Sequence, residues 1–550
     1  MGKLKKNGFI EGTMIAYICI VITKILGAFY SIPFYAIIGE TGGFIYSCAY
    51  SVYNLVLNAS TSGIPTSISI IISEYNARGM YKAKEKAYKV GLRVVFAIAF
   101  TLFLLLQIFA EQIGAFYMDD MTEGSSVSEI AWAIRFMAVC LLFAPALSVK
   151  RGYFQGQKFI APSSVSQVVE QIVRIGFVLA SAYLAVNILD LGESVGVNFA
   201  MTGAAVGALC ALIYLQVKAT KNRSVLLDRP DPREKEIPTK VIIKKILSFS
   251  IPVVIVSVSN NLYEVIDMKF VIMGLGWIGG YTDVQIQTIS SIVVNWAPKI
   301  CMLILALSMG MTASVVPNMT DSYVKKDYKA VNRKFNLAVN TILVISVPIA
   351  LGLIILSKPV YTMFYGQSDF GWLILKFAAI VAVISSIKTV LCMCLQSMGK
   401  ALLVCSAVIA GILTNTAFDL PLMYLCSFLG APPYIGVFFS SMLGVSVCLT
   451  IVFVSMKKMM KLKYSPIVAM MIRVALPAAA MSVFIVLLQL IFPIPETGRL
   501  LITVYLVIYA LLGGLVYGLL ALKTGALQAV FGKETIDKIL VKLHLKKLRS

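Results

Sequence analysis

The sequence predicts an all-α integral membrane protein of about fourteen transmembrane helices, and three observations predict it. Of its 550 residues, 59% are hydrophobic and 13% charged, against about 45–50% and 25% in soluble domains. Apolar stretches of 20 or more residues follow one another along the chain, each long enough to cross a hydrocarbon layer about 30 Å thick. Basic residues concentrate in alternate connections, the charge asymmetry of a chain threaded through a membrane.

In chain order, the apolar windows predict spans over 10–38, 44–72, 89–112, 127–149, 161–188, 198–218 and 246–273. They continue over 286–314, 335–356, 371–396, 401–427, 434–456, 466–492 and 499–522. The first span follows Lys3, Lys5 and Lys6 as the apolar region of a secretory leader would, but it is too long and lacks a small-residue cleavage site, so it reads as a retained helix. The longest polar stretch, 219–240, ends KNRSVLLDRPDPREKEIPTK, which is linker composition and leaves no room for a soluble catalytic domain. In the tail, Ile536, Ile539, Leu540 and Leu543 fall on one helical face with Lys538, Lys542, Lys546 and Lys547 around them, the pattern of a helix lying on a membrane surface. The expected organisation is an N-terminal six-helix lobe (1–218), a cytoplasmic linker (219–245), a second six-helix lobe (246–456), a C-terminal helix pair (466–522) and a cytoplasmic amphipathic tail (523–550).

An even number of spans puts both termini on one side. Connections on that side hold 38 of the 48 Lys and Arg, whereas the opposite connections hold only Lys358 and Arg499, beside Asp119, Asp120, Glu123, Asp190, Glu193, Asp283 and Asp369. The positive-inside rule therefore places both termini in the cytoplasm. Loops facing anionic lipid account for the net charge of +22 without nucleic acid.

Eight basic residues remain in or at the margins of spans: Lys24, Arg135, Arg174, Lys269, Lys299, Lys376, Lys388 and Arg473. Lys24, Arg174, Lys299 and Lys388 fall mid-span, where a cation costs about 2.5–3.5 kcal/mol on insertion scales and faces a wet cavity or a partner. Glu170 and Arg174, four apart, form a candidate structural pair on one helix face. Asp267 and Lys269 lie near the outer end of the seventh span, within reach of water. Lys24, Lys299 and Lys388 have no acidic residue within one turn and are the better candidates for an anion site. Asn295 and Trp296, just before Pro298 and Lys299, are expected to shape it. Asp267 and Asp419 are the candidate ligands for a coupling cation.

Other features read more plainly. Gly203-x-x-x-Gly207 and Gly514-x-x-x-Gly518 match a close-packing motif and are assigned to packing within the lobes. Pro33, Pro65, Pro145, Pro252, Pro298, Pro348, Pro421 and Pro477 interrupt apolar spans and bend or hinge helices. The ten cysteines lie almost entirely within spans and read as small core residues. His544, the only histidine, is in the tail, so neither a histidine metal site nor a histidine acid–base pair is expected.

An internal repeat orders the spans. Tyr81-Lys82-Ala83 after the second span recurs as Tyr328-Lys329-Ala330 after the eighth, 247 residues later, and Phe154-Gln155-Gly156-Gln157-Lys158 is echoed by Leu395-Gln396-Ser397-Met398-Gly399-Lys400. Two lobes of like orientation are the architecture of transporters that bind cargo between halves and rock to alternate access.

Specific motifs point the same way. Lys24-Ile25-Leu26-Gly27 with Ile32-Pro33 and Gly39-Glu40-Thr41-Gly42, then Gly63-Ile64-Pro65 and Ser73-Glu74-Tyr75, occupy the first third of the chain. Arg151-Gly152-Tyr153-Phe154-Gln155-Gly156, Ser166-Gln167, Glu170-Gln171, Arg174, Ile266-Asp267 and Val316-Pro317 follow. With these the chain resembles the multidrug/oligosaccharidyl-lipid/polysaccharide (MOP) exporters, in the branch of stage V sporulation protein B and the Firmicutes-type lipid II flippases. The resemblance covers essentially the whole chain. It implies a MATE- and MurJ-like fold, six plus six plus two helices around a V-shaped cavity, the last pair adding a groove for a lipid tail. It also implies a lipid-linked precursor whose pyrophosphate would be held by Lys24 and Lys299, with Lys388 as a third member and Arg174 largely structural. Lys24 matches the basic position of the family's first helix, more often Arg. Where Gram-negative flippases carry further basic residues, this chain has Tyr30-Ser31 and Leu57-Asn58, which leaves the head group open.

The expected function is a non-enzymatic flippase in the bacterial plasma membrane. It would move an undecaprenyl-pyrophosphate-linked glycan, lipid II first, from the inner to the outer leaflet for cell-wall or spore-cortex peptidoglycan. It would act as a monomer, with cell-wall synthesis enzymes as candidate partners, no cofactor, and the membrane potential, Na⁺ or H⁺ as energy source. Two other transport readings stay open: a cation-coupled MATE-type drug exporter, and a flippase for another polysaccharide precursor. A membrane-embedded transferase on the same carrier would need a metal-binding carboxylate cluster or a large polar outer loop, and neither is visible.

Overall fold

The computed structural model describes residues 9–118, 121–226, 234, 236–532 and 536–537. Within them the chain is helical almost throughout, because in hydrocarbon a backbone must satisfy its own hydrogen bonds. The first three lysines and the Lys538–Lys547 part of the tail lie outside the described residues, as do 227–233 and 235 of the linker.

Two compact units divide the chain. The first comprises 1–295 and 416–433. It holds α1 (Phe9–Phe29), α2 (Ser31–Thr61), α3 (Ile64–Ala77), α4 (Tyr81–Met118), α5 (Val127–Ala138), α6 (Ala144–Gly156) and α7 (Ile160–Tyr183). It continues with α8 (Glu193–Met201), α9 (Gly203–Lys221), the short α10 (Arg223–Leu226), α11 (Thr239–Ile278) and α12 (Asp283–Ser291). The second unit comprises 296–415 and 434–550. It holds α13 (Ala297–Val324), α14 (Tyr328–Ile355), α15 (Ser357–Tyr365) and α16 (Gly371–Ser397). After α17 (Ala401–Phe428), whose last turns belong to the first unit, come α18 (Ile435–Met460), α19 (Ser465–Ile491), α20 (Arg499–Lys523) and α21 (Ala526–Phe531).

Twelve helical runs among the described residues are long and apolar enough to cross a membrane, so this is a multi-pass membrane protein. Eleven of them coincide one for one with predicted spans. The twelfth, Met14–Ala77, covers the first two predicted spans in 64 residues, about 96 Å of helix at 1.5 Å per residue and so more than one crossing. The chain breaks within it at Gly39 (φ 64°) and Gly63 (φ 74°). At Gly63 an added Cβ would come 2.9 Å from the Val253 side chain, so the left-handed turn and the close approach of α11 both require glycine. The predicted eighth span falls on α13, where the side chains of 306–314 lie outside the description.

Small residues set the packing. In the first unit Gly203 and Gly207 place α9 on α7, an added Cβ meeting Val178 at 2.6 Å and the Glu170 carbonyl at 2.7 Å. Gly152 and Gly156 seat α6 on α3 in the same way, against the carbonyls of Pro65 and Ser69. The second predicted small-residue motif does not behave so: Gly514 and Gly518 face nothing within 4 Å, and Gly513 meets Ile485 instead. One residue of helical rotation separates the two faces. Pro65 and Pro145 sit in the first turns of α3 and α6, where proline costs little, whereas Pro348, Pro421 and Pro477 are inside helices. All ten cysteines are free thiols, nine of them buried.

Candidate functional site

In the first unit α1 and α7 pack side by side and parallel: Gly12 lies against Ile160 and Gly27 against Gln171. That register puts Lys24, one turn before Gly27, about 9 Å along the axis from Arg174, one turn after Gln171. Lys24 is half-buried, and among the described residues no carboxylate reaches it within ion-pair distance.

Arg174 is not paired with Glu170. The Glu170 carboxylate accepts from Arg151 Nη2 at 2.7 Å, and Arg151 Nε donates to Ser166 Oγ at 2.8 Å. Spacing on one helix permitted the predicted pair, but α6 brings a fork-shaped donor to Ser166 and Glu170 that takes the carboxylate first. Arg174 instead lies over the Tyr50 ring, 5.9 Å from its centroid, a cation–π contact. Tyr46 stacks on Tyr50 at 5.2 Å, Tyr53 follows at 6.1 Å, and Tyr30 and Tyr46 share a hydroxyl hydrogen bond of 2.9 Å. Tyr46, Tyr50 and Tyr53 recur at helical spacing on one face of α2, a stripe the sequence carried but that reads first as core.

Still in the first unit, Asn54 Nδ2 donates to Glu264 Oε2 at 3.4 Å, and Asp267, half-buried, follows one turn later on the same face of α11. Asp419 on α17 is fully buried. Gly274 packs on Met423 and Leu420, so the helices carrying Asp267 and Asp419 meet two turns and one turn beyond those residues. Asn295 is engaged with α2, donating to Ser47 Oγ at 3.1 Å.

The first unit ends in a π-helical turn, Ile292–Trp296, whose last residue opens the second unit and leads into α13, a local widening common where a helix carries a functional group. Lys299 is 4% exposed, its ammonium 4.3 Å from the centroid of the fully buried Trp296 ring. Tyr365 holds that segment by donating to the Trp296 carbonyl at 3.2 Å. Lys388, 9% exposed, lies on α16 beside Cys392 and Cys448. The two lysines do not meet. α13 and α16 run parallel, pinned near their C-terminal ends by the Thr320–Ser397 hydrogen bond of 2.8 Å and near their N-terminal ends by Trp296 on Tyr365. In that register Lys388 sits about 18 Å deeper than Lys299, more than one pyrophosphate spans.

The sequence profile of the polysaccharide biosynthesis protein family matches residues 9–285. The chain belongs to that family. It is an exporter of the MOP superfamily, and the MatE profile matches its residues 285–420. It is similar to the lipid II flippase MurJ of Bacillus subtilis (strain 168), 28% identical over 534 residues, covering 95% of this chain and 97% of that protein. It is also 28% identical over 214 residues, 39% of each chain, to stage V sporulation protein B of the same organism. Among solved structures, a lipid II flippase MurJ in an inward closed conformation superposes with a TM-score of 0.68 at 16% identity, covering 95% of this chain and all of that one. The exporter thus shares its fold with those transporters.

Proposed function

We propose that this exporter flips a lipid-linked glycan pyrophosphate, with lipid II as cargo, from the inner to the outer leaflet of a bacterial plasma membrane. The observation that carries the reading is Lys24: a cation in the middle of a membrane helix with no carboxylate beside it among the described residues, one helix away from a tyrosine-lined arginine. Phosphate oxygens require N–H and O–H donors when they leave water. Lys24 supplies a charged donor, and one helix away the half-buried Tyr50 stands under Arg174 with the Tyr30–Tyr46 hydroxyl pair on the same α2 face as Tyr50. Similarity to the Bacillus subtilis flippase over nearly the full length supports the cargo class.

On this reading fourteen spans form two six-helix lobes and a terminal pair, both termini are cytoplasmic, and the protein works as a monomer without enzymatic chemistry. Lys24 is the primary ligand. Within the second unit Lys299 is the candidate phosphate ligand, exchanging the Trp296 face for an anion, and Lys388, at another depth, does not share that ligand. Arg174 positions the tyrosine wall. Asp267 and Asp419, on the helices joined at Gly274 and Met423, are the residues for a coupling Na⁺ or H⁺. Without such an ion the potential alone favours export, by about 2.3 kcal/mol per elementary charge for each 100 mV inside-negative, provided the cations stay behind.

The test is translocation of fluorescent lipid II in proteoliposomes. Replacing Lys24→Ala removes a charge-assisted donor and lowers the initial rate about tenfold or more, whereas Lys388→Met leaves it within about twofold. A Lys24→Ala protein that flips at the unchanged rate refutes the reading.

A further inference from the structure

At the end of the first unit where α4 begins, the linker lies across the helix. The Glu234 carboxylate accepts from the backbone N–H groups of Lys82 and Ala83, both at 2.8 Å, and Glu236 pairs with Lys86 at 2.9 Å. Between linker and helix is a cavity of about 710 Å³ whose lining includes Lys82, Lys86, Lys89, Arg93, Glu234 and Glu236. Its remaining carboxylate, Glu85, is taken by the Tyr153 hydroxyl. Lys89 and Arg93 are exposed, and neither enters an ion pair or hydrogen bond among the described residues.

The same face of α4 continues into the membrane. Lys89 and Arg93 are followed at helical spacing by Phe96, Phe100 and Leu104, all exposed at 42–49%. Phe96 and Phe100 stack on one another at 5.9 Å. Two uncommitted cations at the rim of a cavity, with an exposed apolar stripe running from them, match one kind of molecule: an anionic head group with an acyl chain. We propose that this cavity is a binding site for the phosphate head group of an anionic phospholipid, distinct from the cargo site, with the linker carboxylate of Glu236 competing for Lys86.

The site lies on the cytoplasmic side if the orientation proposed above holds. Binding in detergent is indifferent to sidedness, so failure here and failure of that orientation are separable. The experiment titrates the full-length protein in neutral detergent with phosphatidylglycerol, phosphatidylcholine or inorganic phosphate, and follows binding by native mass spectrometry and thermal shift. Phosphatidylglycerol is expected to bind and stabilise, phosphatidylcholine and inorganic phosphate at the same concentration not. The double variant Lys89→Ala/Arg93→Ala weakens binding about tenfold or more, with an unchanged melting temperature in lipid-free detergent to show that it folds. Glu236→Gln frees Lys86 and tightens binding about two- to threefold. Equal binding of phosphatidylcholine, a shift by inorganic phosphate as large as by phosphatidylglycerol, or undiminished binding by the double variant would each overturn the proposal.

Discussion

The two units of this exporter hold their membrane cations by different means. In the first, Lys24 has no carboxylate in reach among the described residues, and Arg174 faces a run of tyrosines whose hydroxyls remain hydrogen-bonding groups. In the second, Lys299 is folded onto an indole and Lys388 is tucked among thiols, both nearly inaccessible. A contrast also appears where the Tyr-Lys-Ala echo starts a helix. α14 caps itself, the Asp327 side chain accepting from Ala330 N–H at 2.9 Å, whereas α4 has Met80 at that position and takes its acceptor from the linker's Glu234. Two helix starts that share a Tyr-Lys-Ala motif thus differ in what satisfies their first turn, one from the linker and one from its own cap.

The largest structural effect should come from the ion pair that displaced the predicted one. Arg151 and Glu170 are mostly buried, with side chains 14% and 26% exposed, and removing one partner strands the other beside apolar helices. Glu170→Gln is expected to lower stability by about 2–3 kcal/mol. Arg174→Gln, which loses a cation–π contact, should cost about 1–2 kcal/mol. Thermal unfolding in detergent compares the two. If Arg174→Gln proves the more damaging, the arginine is the structural keystone of the first unit, and its part in the site must be reassigned.

Much of the fold was legible because hydrocarbon imposes a simple rule: apolar runs of sufficient length become helices, and eleven runs do so where hydropathy puts them. Their partners were not. Glu170 with Arg174 is a correct statement about one helix, and Arg151 overrides it from another. The depth difference between Lys299 and Lys388 depends on the register of α13 against α16, which no local pattern encodes. Lys84 and Lys150 looked like loop cations and are buried, Lys84 donating to the Leu226 carbonyl at 3.2 Å and Lys150 bonded to Gln216. The tyrosine face of α2 was visible in spacing, yet aromatic stripes in membrane helices are usually packing, and it is the cation of Arg174, on another helix, that gives this one a charge to face.

A smaller effect separates the two helix starts. Asp327→Ala removes a self-cap and should cost about 1 kcal/mol, seen as faster amide exchange confined to the first turn of α14. Glu234→Ala removes the same kind of acceptor from α4 but also frees the linker, so exchange should rise both at Lys82 and Ala83 and across 236–239. Equal, local effects at both sites would mean that the linker is held by other contacts and that the difference between the units is only one of sequence.

The smallest effect distinguishes the exposed ion pairs at the rims of the units by pH. Hydrogen bonding from Lys86, with its charge and that of Lys82, holds the Glu236 carboxyl below the usual carboxylate range, and Lys358 does the same for Glu496 in the second unit. Both folded values are depressed, so each pair contributes fully above the unfolded carboxylate pKa of about 4.3 and is lost as pH falls through the lower folded value. Both pairs are solvent-exposed, so the global melting temperature should change little. The local consequence differs. Losing Lys358–Glu496 releases one contact between α15 and the connection before α20, whereas losing Lys86–Glu236 removes the ion pair that holds the 236–239 end of the linker and opens the basic groove of α4. Limited proteolysis between pH 7 and pH 2, with an acid-active protease at the low end, should therefore show cleavage in 236–239 rising first, and a linker no more accessible at pH 2 than at pH 7 would place its hold on α4 elsewhere.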